Sequence, residues 1–319
     1  MKQKQQPVRA GFVAIVGRPN VGKSTLLNHI LGEKIASVSP RPQTTRTRIL
    51  GVWNAEPRSL AGAPGGAQLA FFDTPGLHRA KGALNARMVE VALTTLGEVD
   101  VVLMLIEAGT APDGSVVVGE ATRWAIEQVR KSGKPAVLGV NKMDRAPRES
   151  LLPLIAAYKD LHAWTEIVPF SARTGENVDD LLATLARLVP ESAEPMFPSD
   201  VLTDQAERAI AAEYVREQIM LRLREEVPYA AAVEVEEFDE SEREQGPRGL
   251  VRISAVIHVE RESQKGIVIG KKGAMLKEIG QGAREALERL LGCKVFLALA
   301  VRVDERWSER AAELKRFGL

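Results

Sequence analysis

Short apolar runs alternate with longer amphipathic stretches through roughly the first 190 residues of the chain. The apolar runs predict strands at residues 12–16, 48–53, 68–72, 100–106, 135–140 and 165–170. The amphipathic stretches predict helices near residues 23–31, 83–96, 114–132, 149–161 and 177–188. Because repeated strand-then-helix units build a parallel sheet covered on both faces, this region predicts an α/β domain that binds ligands at the carboxyl ends of its strands.

The second part of the chain follows a different pattern. A long amphipathic helix at about 203–226 precedes alternating strands at 231–238 and 250–259, and a helix at 274–291 precedes a strand at 294–303. Three prolines within residues 190–198 interrupt the periodicity between the two parts. We therefore predict an α/β domain at 8–189, a linker at 190–200 and an α+β domain at 201–319, with long loops of undefined role at 54–67 and 239–248.

The composition narrows the class of protein. The chain has 319 residues, of which 45% are hydrophobic and 27% charged, as expected for roughly two ordinary globular domains. Its formal net charge of +1 argues against a globally basic nucleic-acid binder, so that an RNA site has to be a local patch. Cys293 is the only cysteine, which excludes an internal disulfide and suits a reducing cytosol. The N-terminal residues lack the apolar core of a signal peptide, and the longest apolar run, 101–106, is too short to span a bilayer.

The strongest chemical signal lies where the first predicted strand meets the first predicted helix. Residues 17–24 read Gly-Arg-Pro-Asn-Val-Gly-Lys-Ser, which matches the phosphate-binding pattern G-x-x-x-x-G-K-[ST]. In such a loop, backbone N–H groups surround phosphate oxygens, Lys23 reaches the outer phosphates and the Ser24 hydroxyl is a ligand of magnesium. The chain is therefore expected to bind a nucleoside triphosphate.

Three more motifs follow later predicted strands, in the order expected for a GTPase. Residues 73–76, Asp-Thr-Pro-Gly, place a carboxylate near the metal and the Gly76 N–H near the γ-phosphate. Residues 141–144, Asn-Lys-Met-Asp, provide the Asp144 carboxylate, which can accept hydrogen bonds from two N–H groups on the edge of guanine. Ser171-Ala172 can donate a backbone N–H to the guanine oxygen. Adenine lacks the two N–H groups that guanine offers to Asp144, so these motifs predict GTP as the nucleotide.

A different loop marks the second domain. Gly270-Lys271-Lys272-Gly273 joins two short helical segments, and Lys265 and Lys277 add positive charge around it. A GxxG loop alone is more often a simple helix–helix turn, but the flanking helices and strands here are typical of a KH domain, in which the glycines admit an RNA backbone and the lysines neutralise phosphates. The acidic tract at 234–244 is interpreted as the solvated end of a hairpin.

Together these motifs resemble the Era family of bacterial ribosome-assembly GTPases, within the TrmE-Era-EngA-like superfamily. The residues that carry the resemblance are 17–28, 42–46, 73–78, 141–144, 228–229 and 268–273, which span nearly the whole chain. The resemblance implies a P-loop GTPase domain with a mostly parallel sheet followed by a type II KH domain that binds 16S rRNA near its 3′ end. It also implies a cytoplasmic monomer that associates with the small ribosomal subunit and peripherally with the cell membrane, with no DNA partner. Thr47, where the family commonly has a histidine, departs from the pattern.

The expected site residues fall into four groups. The catalytic group is Lys23, Thr45 and Gly76, and the magnesium group is Ser24, Thr45 and Asp73; Thr45 is preferred to Thr44 because related GTPases place their magnesium-contacting threonine immediately before an arginine. The RNA-binding group is Lys265, Gly270, Lys271, Lys272, Gly273 and Lys277. The GTP- and GDP-binding group is Gly17, Asn20, Val21, Gly22, Lys23, Ser24, Thr25, Asp73, Thr74, Pro75, Gly76, Asn141, Lys142, Asp144, Ser171 and Ala172.

Two positions bear on the rate of hydrolysis. Leu77 occupies the position at which Ras-like enzymes have a glutamine that orients the attacking water, which predicts slow intrinsic hydrolysis. Asn20 resembles a P-loop asparagine that helps to hold a monovalent cation in related GTPases, so potassium is a further candidate cofactor; the alternative is that Asn20 only shapes the loop.

Two functions of different class remain open on the sequence. The first is a GTP-switched, rRNA-binding factor in assembly of the small subunit, and the second is a membrane-associated signalling GTPase that couples the cell cycle to growth. The C-terminal segment 304–317 is helical and basic enough for a surface role, although its acidic residues weigh against membrane anchoring. RNA crosslinked to the protein would separate the two.

Overall fold

The computed structural model of the chain describes residues 7–61, 63–80, 82–109, 115–245 and 249–319. Its contacts divide the described residues into two compact units. The first comprises those within Met1–Glu33, Thr45–Ala80 and Met88–Asp204, and the second those within Lys34–Thr44, Lys81–Arg87 and Gln205–Leu319. The sequence placed the division at 190–200; the structure places it after Asp204 and also groups two short segments of the predicted α/β domain with the second unit.

The first unit is the predicted α/β structure. Its strands are β1 (Val8–Gly17), β2 (Ile49–Ala55), β3 (Ala67–Asp73), β4 (Val101–Glu107), β5 (Ala136–Asn141), β6 (Glu166–Pro169) and β7 (Glu191–Ser192). Its helices are α1 (Lys23–Leu31), α3 (Glu120–Ser132), α4 (Leu151–Lys159), α5 (Val178–Leu188) and most of α2 (Ala83–Glu98). The helix predicted from residue 114 begins at Glu120; residue 114 itself lies outside the described residues.

The main sheet has the strand order β2-β3-β1-β4-β5-β6. Pairing is parallel from β3 through β1, β4 and β5 to β6, whereas β2 runs antiparallel to β3. The central strands are nearly all buried, as expected when both faces of a parallel sheet are covered. The predicted fold class is confirmed, and the carboxyl ends of β1, β3 and β5 carry the loops that the motifs identified.

The predicted linker at 190–200 belongs to the first unit. Glu191–Ser192 forms β7, which pairs antiparallel with the start of β1. The buried side chain of Gln68 on β3 accepts from the Phe197 N–H and donates to the Phe197 carbonyl, both at 2.8 Å. A buried amide needs partners on both its oxygen and its nitrogen, so Gln68 fixes the proline-rich segment against the sheet. The linker interpretation is therefore corrected for these residues.

The second unit contains the predicted α+β structure. Its elements are α6 (Glu207–Arg222), β8 (Ala232–Glu242), β9 (Leu250–Val259), α7 (Glu262–Ile269), α8 (Ala274–Leu291), β10 (Lys294–Val303) and α9 (Ala311–Arg316). The three strands form a sheet in the order β10-β9-β8, in which β9 is parallel to β10 and antiparallel to β8. The apolar side chains of α6, α8 and one face of the sheet form its core. The bounds of β9, α8 and β10 match the predicted ones.

Two elements differ from their predicted form. The helix predicted at 203–226 is the shorter α6, because Leu223 is extended and Glu225 has a left-handed backbone with φ +56°. The acidic tract is not only a solvated hairpin end, because β8 extends to Glu242 and several of its acids pair with arginines. Glu234 pairs with Arg316 and Glu236 with Arg302. No helix within the described parts of the chain is long and apolar enough to cross a membrane.

Candidate functional site: nucleotide loops and a basic cleft

The phosphate-binding loop is shaped by two glycines with positive φ. Gly17 has φ +148° and Gly22 has φ +102°, values that a residue with a side chain adopts only under strain. A Cβ on Gly17 would lie 2.5 Å from the Leu105 carbonyl oxygen, and one on Gly22 would lie 2.2 Å from Asn141 Nδ2. Both positions therefore require glycine for backbone conformation and for space. The loop leads directly into α1, whose N-terminal N–H groups can face an anion.

The three predicted magnesium ligands lie together. Ser24 Oγ donates to Asp73 Oδ2 at 2.5 Å and lies 2.9 Å from Thr45 Oγ1, and Thr45 Oγ1 donates to the same carboxylate oxygen at 3.3 Å. Asp73 is fully buried, and its Oδ1 has no hydrogen-bond partner among the described residues. A set of hydroxyl and carboxylate oxygens with one uncompensated buried oxygen fits a hard divalent cation such as Mg²⁺.

Thr44, the alternative to Thr45, is engaged elsewhere. Its hydroxyl donates to the Arg41 carbonyl at 2.9 Å and lies 2.8 Å from Ser39 Oγ. The geometry therefore favours Thr45 as the threonine that faces the metal position.

Lys23 and Asp73 form a buried pair of opposite charge. Burial lowers the pKa of Lys23, and the Asp73 carboxylate opposes that shift. Burial raises the pKa of Asp73, while the Lys23 ammonium and the hydroxyls of Ser24 and Thr45 oppose that shift. The lowered pKa of Lys23 and the raised pKa of Asp73 both mean that the charged form of each group has lost solvation that water would provide. An anionic phosphate beside Lys23 and a cation beside Asp73 would supply it.

The Asp-Thr-Pro-Gly segment packs directly on the phosphate loop. A Cβ on Gly76 would lie 2.7 to 2.8 Å from atoms of Pro19, so only glycine allows this approach. The Leu77 N–H donates to the Gly17 carbonyl at 2.9 Å, and the Thr74 hydroxyl donates to the Ile15 carbonyl at 2.8 Å. The Leu77 side chain is fully buried in the core, so this apolar side chain packs in the protein interior.

Asn141 connects three of the four motifs. Its Nδ2 donates to the Val21 carbonyl at 2.7 Å, and its Oδ1 accepts from the backbone N–H groups of Lys142 and Ala172 at 2.7 and 2.9 Å. Asn141 is almost completely buried, so these hydrogen bonds satisfy a side chain that would otherwise destabilise the fold. The phosphate loop and both guanine-binding loops are thereby fixed to one another before any ligand binds.

The Asp144 carboxylate is oriented by two neighbours. Ser171 Oγ donates to Asp144 Oδ1 at 2.7 Å, and Arg173 donates to Oδ2 at 2.6 Å. The Ser171 hydrogen bond and, to a lesser extent, the Arg173 charge hold the pKa of Asp144 below its ordinary value, although partial burial acts the other way. Asp144 is therefore an anionic acceptor at neutral pH, as recognition of two guanine N–H donors requires. The sequence did not identify Arg173, because an exposed arginine one position after a binding motif carries no signal of its own.

The other predicted nucleotide residues lie on the same loops. Pro75 is buried, Thr25 is half-buried in the first turn of α1, and Asn20 is exposed with φ +66°. Lys142 is also left-handed, with φ +66°, and its Nζ lies 2.8 Å from Glu107 Oε2.

In the second unit, Gly270–Gly273 forms a tight turn between α7 and α8. Gly270 and Gly273 have φ values of +72° and +80°, and Lys272 is left-handed with φ +54°. A Cβ on Gly270 would lie 2.7 Å from Met275 Cβ, so the glycine allows α8 to begin close to the turn. Lys271, Lys272 and Lys277 are exposed and Lys265 is half-buried. The loop thus presents two adjacent, exposed ammonium groups on a tight turn.

A cleft of about 470 Å³ extends from this turn between α8 and β10. Its floor is apolar, and positive side chains lie along the α8 side. It is lined by Gly273, Leu276, Lys277, Gly280, Gln281, Arg284, Leu297 and Leu299. Gln281 and Arg284 were not predicted, although the spacing 273, 277, 280/281, 284 places them on one face of a helix and could have identified them. A groove with an apolar floor and a basic wall suits a single strand of RNA, whose bases and phosphates need opposite surroundings.

The loops of the first unit and the GxxG turn of the second define a P-loop GTPase joined to a KH domain. Two family models match accordingly: one described as a 50S ribosome-binding GTPase over residues 12–142, and the KH domain over residues 226–308.

The chain belongs to the GTPase Era family. It is 52% identical to GTPase Era of Geobacter metallireducens over 98% of both chains, and 49% identical to that of Geotalea daltonii over 98% and 99%. It is also similar to the crystal structure of an Aquifex aeolicus Era variant bound to GDP and AlF4⁻, with 42% identity, a TM-score of 0.86, and 98% and 99% of the two chains covered. A second similar structure is Era in complex with MgGDPNP and nucleotides 1506–1542 of 16S ribosomal RNA, with 41% identity, a TM-score of 0.85, and 97% and 98% covered. The chain is therefore a GTP hydrolase that binds GTP and GDP.

Proposed function

We propose that this GTPase binds the 3′ region of small-subunit rRNA through the cleft beside Gly270–Gly273 and acts as a GTP-switched factor in assembly of the small ribosomal subunit. The observation that carries the proposal is the cleft itself, because its apolar floor and basic wall offer what single-stranded RNA requires. The similar Era structure contains a fragment of 16S rRNA, which supports this choice of partner over a signalling role without RNA.

For hydrolysis, we propose that Ser24, Thr45 and Asp73 hold a magnesium ion and that Lys23 contacts the β- and γ-phosphates. The ion would neutralise the charge that develops on the phosphate oxygens. Gly76 N–H is proposed to bind the γ-phosphate, since its segment packs on the phosphate loop at Pro19. Asp144 and the Ala172 N–H are proposed to select guanine. With Leu77 buried, none of these groups orients the attacking water, so intrinsic hydrolysis is expected to be slow.

Potassium is proposed as a second cation, held in part by Asn20. Asn20 is exposed at the phosphate loop and has a left-handed backbone conformation, which is uncommon for a residue other than glycine and is often found at functional sites. Single-turnover hydrolysis is expected to be at least several-fold faster in potassium chloride than in sodium chloride, and Asn20→Ala is expected to remove that difference. Equal rates of the wild-type protein in the two salts would contradict the proposal.

The RNA proposal is tested by reversing the charge of the turn. In the double variant Lys271→Asp, Lys272→Asp, two carboxylates replace the ammonium groups that would meet phosphates, and we expect at least about a 100-fold loss of affinity for a small-subunit rRNA 3′ fragment. The affinity for GDP is expected to be unchanged. Filter binding at several salt concentrations measures the RNA affinity, and a fluorescent GDP analogue measures the nucleotide affinity.

A matched control carries the same charge change elsewhere. Arg289 and Lys294 are exposed at and beyond the other end of α8, so Arg289→Asp, Lys294→Asp alters net charge equally without touching the turn. We expect this control to lose only a few-fold affinity through its long-range charge. If both double variants lose affinity equally, or if neither does, the cleft is not the RNA site.

The remaining partners follow from the family resemblance and stay proposals. We propose association with the small ribosomal subunit, a cytoplasmic monomer and a peripheral contact with the inner face of the cell membrane. Co-sedimentation with ribosomal subunits, light scattering and membrane flotation test these in turn.

A further inference from the structure

Helix α6 carries buried charges that its place in the KH core does not explain. Ile210, Val215 and Ile219 pack into the core of the second unit, as an amphipathic helix requires. Arg216 and Glu217, however, are only 3% and 2% exposed. Buried charges destabilise a fold unless they are paired and hydrogen-bonded. Helix α6 also lies outside both matched family models, which end at residue 142 and begin again at residue 226.

Glu217 is paired with the chain segment 34–44, which groups with the second unit. Its Oε1 accepts from the Val38 N–H at 2.8 Å, and its Oε2 pairs with Lys34 Nζ. Lys34 Nζ also lies 5.0 Å from the centre of the Tyr214 ring, and the Tyr214 hydroxyl donates to the Lys34 carbonyl. Both carboxylate oxygens of Glu217 therefore contact residues of the segment 34–44.

Arg216 holds the other end of the same segment. It donates to the Thr44 carbonyl and is itself oriented by Glu213, whose carboxylate accepts from Arg216 Nε at 2.8 Å. The Ser37 hydroxyl donates to the Glu213 carbonyl at 3.0 Å. The α6 residues involved, 213, 214, 216 and 217, share one face of the helix by their spacing. One helical face thus fixes the segment at its beginning, its middle and its end.

The segment ends one peptide bond before the proposed magnesium ligand Thr45. Thr45 groups with the first unit, where its hydroxyl contacts Ser24 and Asp73. The hydrogen bond from Arg216 to the Thr44 carbonyl fixes one atom of the peptide group that links Thr44 to Thr45. A peptide group is planar, so holding its oxygen restricts the orientation of the N–H and Cα that follow.

We propose that Arg216, supported by Glu213 and Glu217, is a positioning residue that sets the Thr45 hydroxyl at the magnesium site. The inference rests on the proposed role of Thr45 as a magnesium ligand. Helix α6 stabilises the segment in the conformation that presents Thr45 to the metal. Without the Arg216 hydrogen bond, Thr45 is no longer held in that orientation. Charged residues on a helix of the KH-containing unit thereby act on GTP hydrolysis without touching the nucleotide.

The test compares two arginines of α6 that differ in this contact. Arg216→Met removes the donor to Thr44, whereas Arg222→Met changes the same helix at a residue that donates to the Gln218 side chain. For Arg216→Met we expect single-turnover GTP hydrolysis to slow at least about tenfold, and the magnesium concentration for half-maximal rate to rise by a similar factor. The affinity for GDP is expected to stay within about twofold of the wild-type value. In GTPases, the ordering of a switch segment such as residues 34–45 depends on the γ-phosphate and its magnesium ion, which GDP does not supply. Arg222→Met is expected to match wild type in all three.

A double-mutant cycle separates positioning from general damage. In a Thr45→Ala background, Arg216→Met is expected to cause no further loss of rate, because Arg216 acts only through Thr45. If Arg216→Met fails to fold, as judged by thermal unfolding, Glu217→Gln serves instead. That change keeps the side-chain volume and an acceptor for the Val38 N–H, removes the charge that pairs with Lys34, and is expected to shift the magnesium requirement in the same direction by a smaller factor.

The outcomes distinguish this inference from the proposed function. If Ser24→Ala and Thr45→Ala leave the magnesium requirement unchanged, the proposed metal site is wrong. If those variants raise it but Arg216→Met behaves like Arg222→Met, the metal site stands and the positioning role is wrong. Additive losses from Thr45→Ala and Arg216→Met would also overturn the positioning role.

Discussion

The nucleotide site of the first unit and the basic cleft of the second are built from opposite kinds of side chain. Asp73, Asn141 and Lys23 are buried and tied by short hydrogen bonds or opposed charges, whereas Lys271 and Lys272 are exposed on a turn. A buried polar site discriminates by leaving wrong partners unsatisfied, and an exposed basic site attracts by long-range charge that salt screens. With the proposed functions, the first unit provides specificity for the nucleotide and the second provides electrostatic attraction for RNA.

The largest expected effect on the buried nucleotide site comes from replacing one carboxylate oxygen of Asp144 with an amide nitrogen. Asp144→Asn replaces a carboxylate oxygen, proposed to accept a guanine N–H, with an amide that donates, and we expect GTP affinity to fall at least about 10³-fold. Xanthosine triphosphate is expected to bind the variant better than GTP does, because its added oxygen accepts from the new amide. Equilibrium titration of both nucleotides is the measurement. Asp160→Asn, at an exposed carboxylate after α4, is the control and should bind GTP like wild type.

The next largest effect concerns the support beneath the phosphate loop. Leu77→Ala removes a fully buried side chain, and we expect the free energy of unfolding to fall by about 2–5 kcal/mol. Turnover of the folded variant should change only modestly, since the Leu77 side chain is not in contact with reacting groups. Urea unfolding tests this, with Leu152→Ala as control because Leu152 is 76% exposed and should cost less than about 0.5 kcal/mol. Equal losses in the two variants would contradict the assigned burial.

A smaller effect is expected at His258, one of the buried polar side chains of the second unit. His258 lies on the face of the sheet opposite Leu299, with its Nε2 3.2 Å from Glu234 and its Nδ1 3.8 Å from Asp304, while Phe317 packs on its ring. Burial, and next the Arg316 charge, lowers the pKa of His258, although Glu234 and Asp304 oppose the shift.

Because the pKa of His258 is lower in the folded chain than in the unfolded chain, acid destabilises the fold at this residue. In the unfolded chain His258 binds its proton near pH 6.5, before the folded chain does, so its contribution to stability is present above that pH and is lost as pH falls through the folded pKa. Between pH 7 and pH 5 we expect the wild-type protein to lose more of its free energy of unfolding than His258→Gln does, measured by urea unfolding. Parallel losses would contradict a buried neutral histidine.

Local order was predictable because short-range rules decide it. The phosphate loop, α1, β9, α8 and β10 were placed correctly, since glycines with required φ values, helix periodicity and strand alternation each act within a few residues. The motif residues were also brought together as expected at the ends of β1, β3 and β5. By contrast, the 190–200 segment was interpreted as a linker, because the Gln68 hydrogen bonds that hold it come from more than 120 positions away.

The class of protein, the nucleotide and the position of the GxxG turn could therefore be predicted from the amino-acid sequence, because each rests on residue types at fixed local spacing. The folded structure was needed to show that Asn141 joins three loops, that Gln281 and Arg284 line the cleft, and that α6 holds residues 34–44. These contacts are not encoded locally, because a buried charge or amide takes its partner from whichever segment the fold brings near. No local pattern around Arg216 or Glu217 indicates that they contact Thr44 and Val38, which lie 172 and 179 residues earlier in the chain.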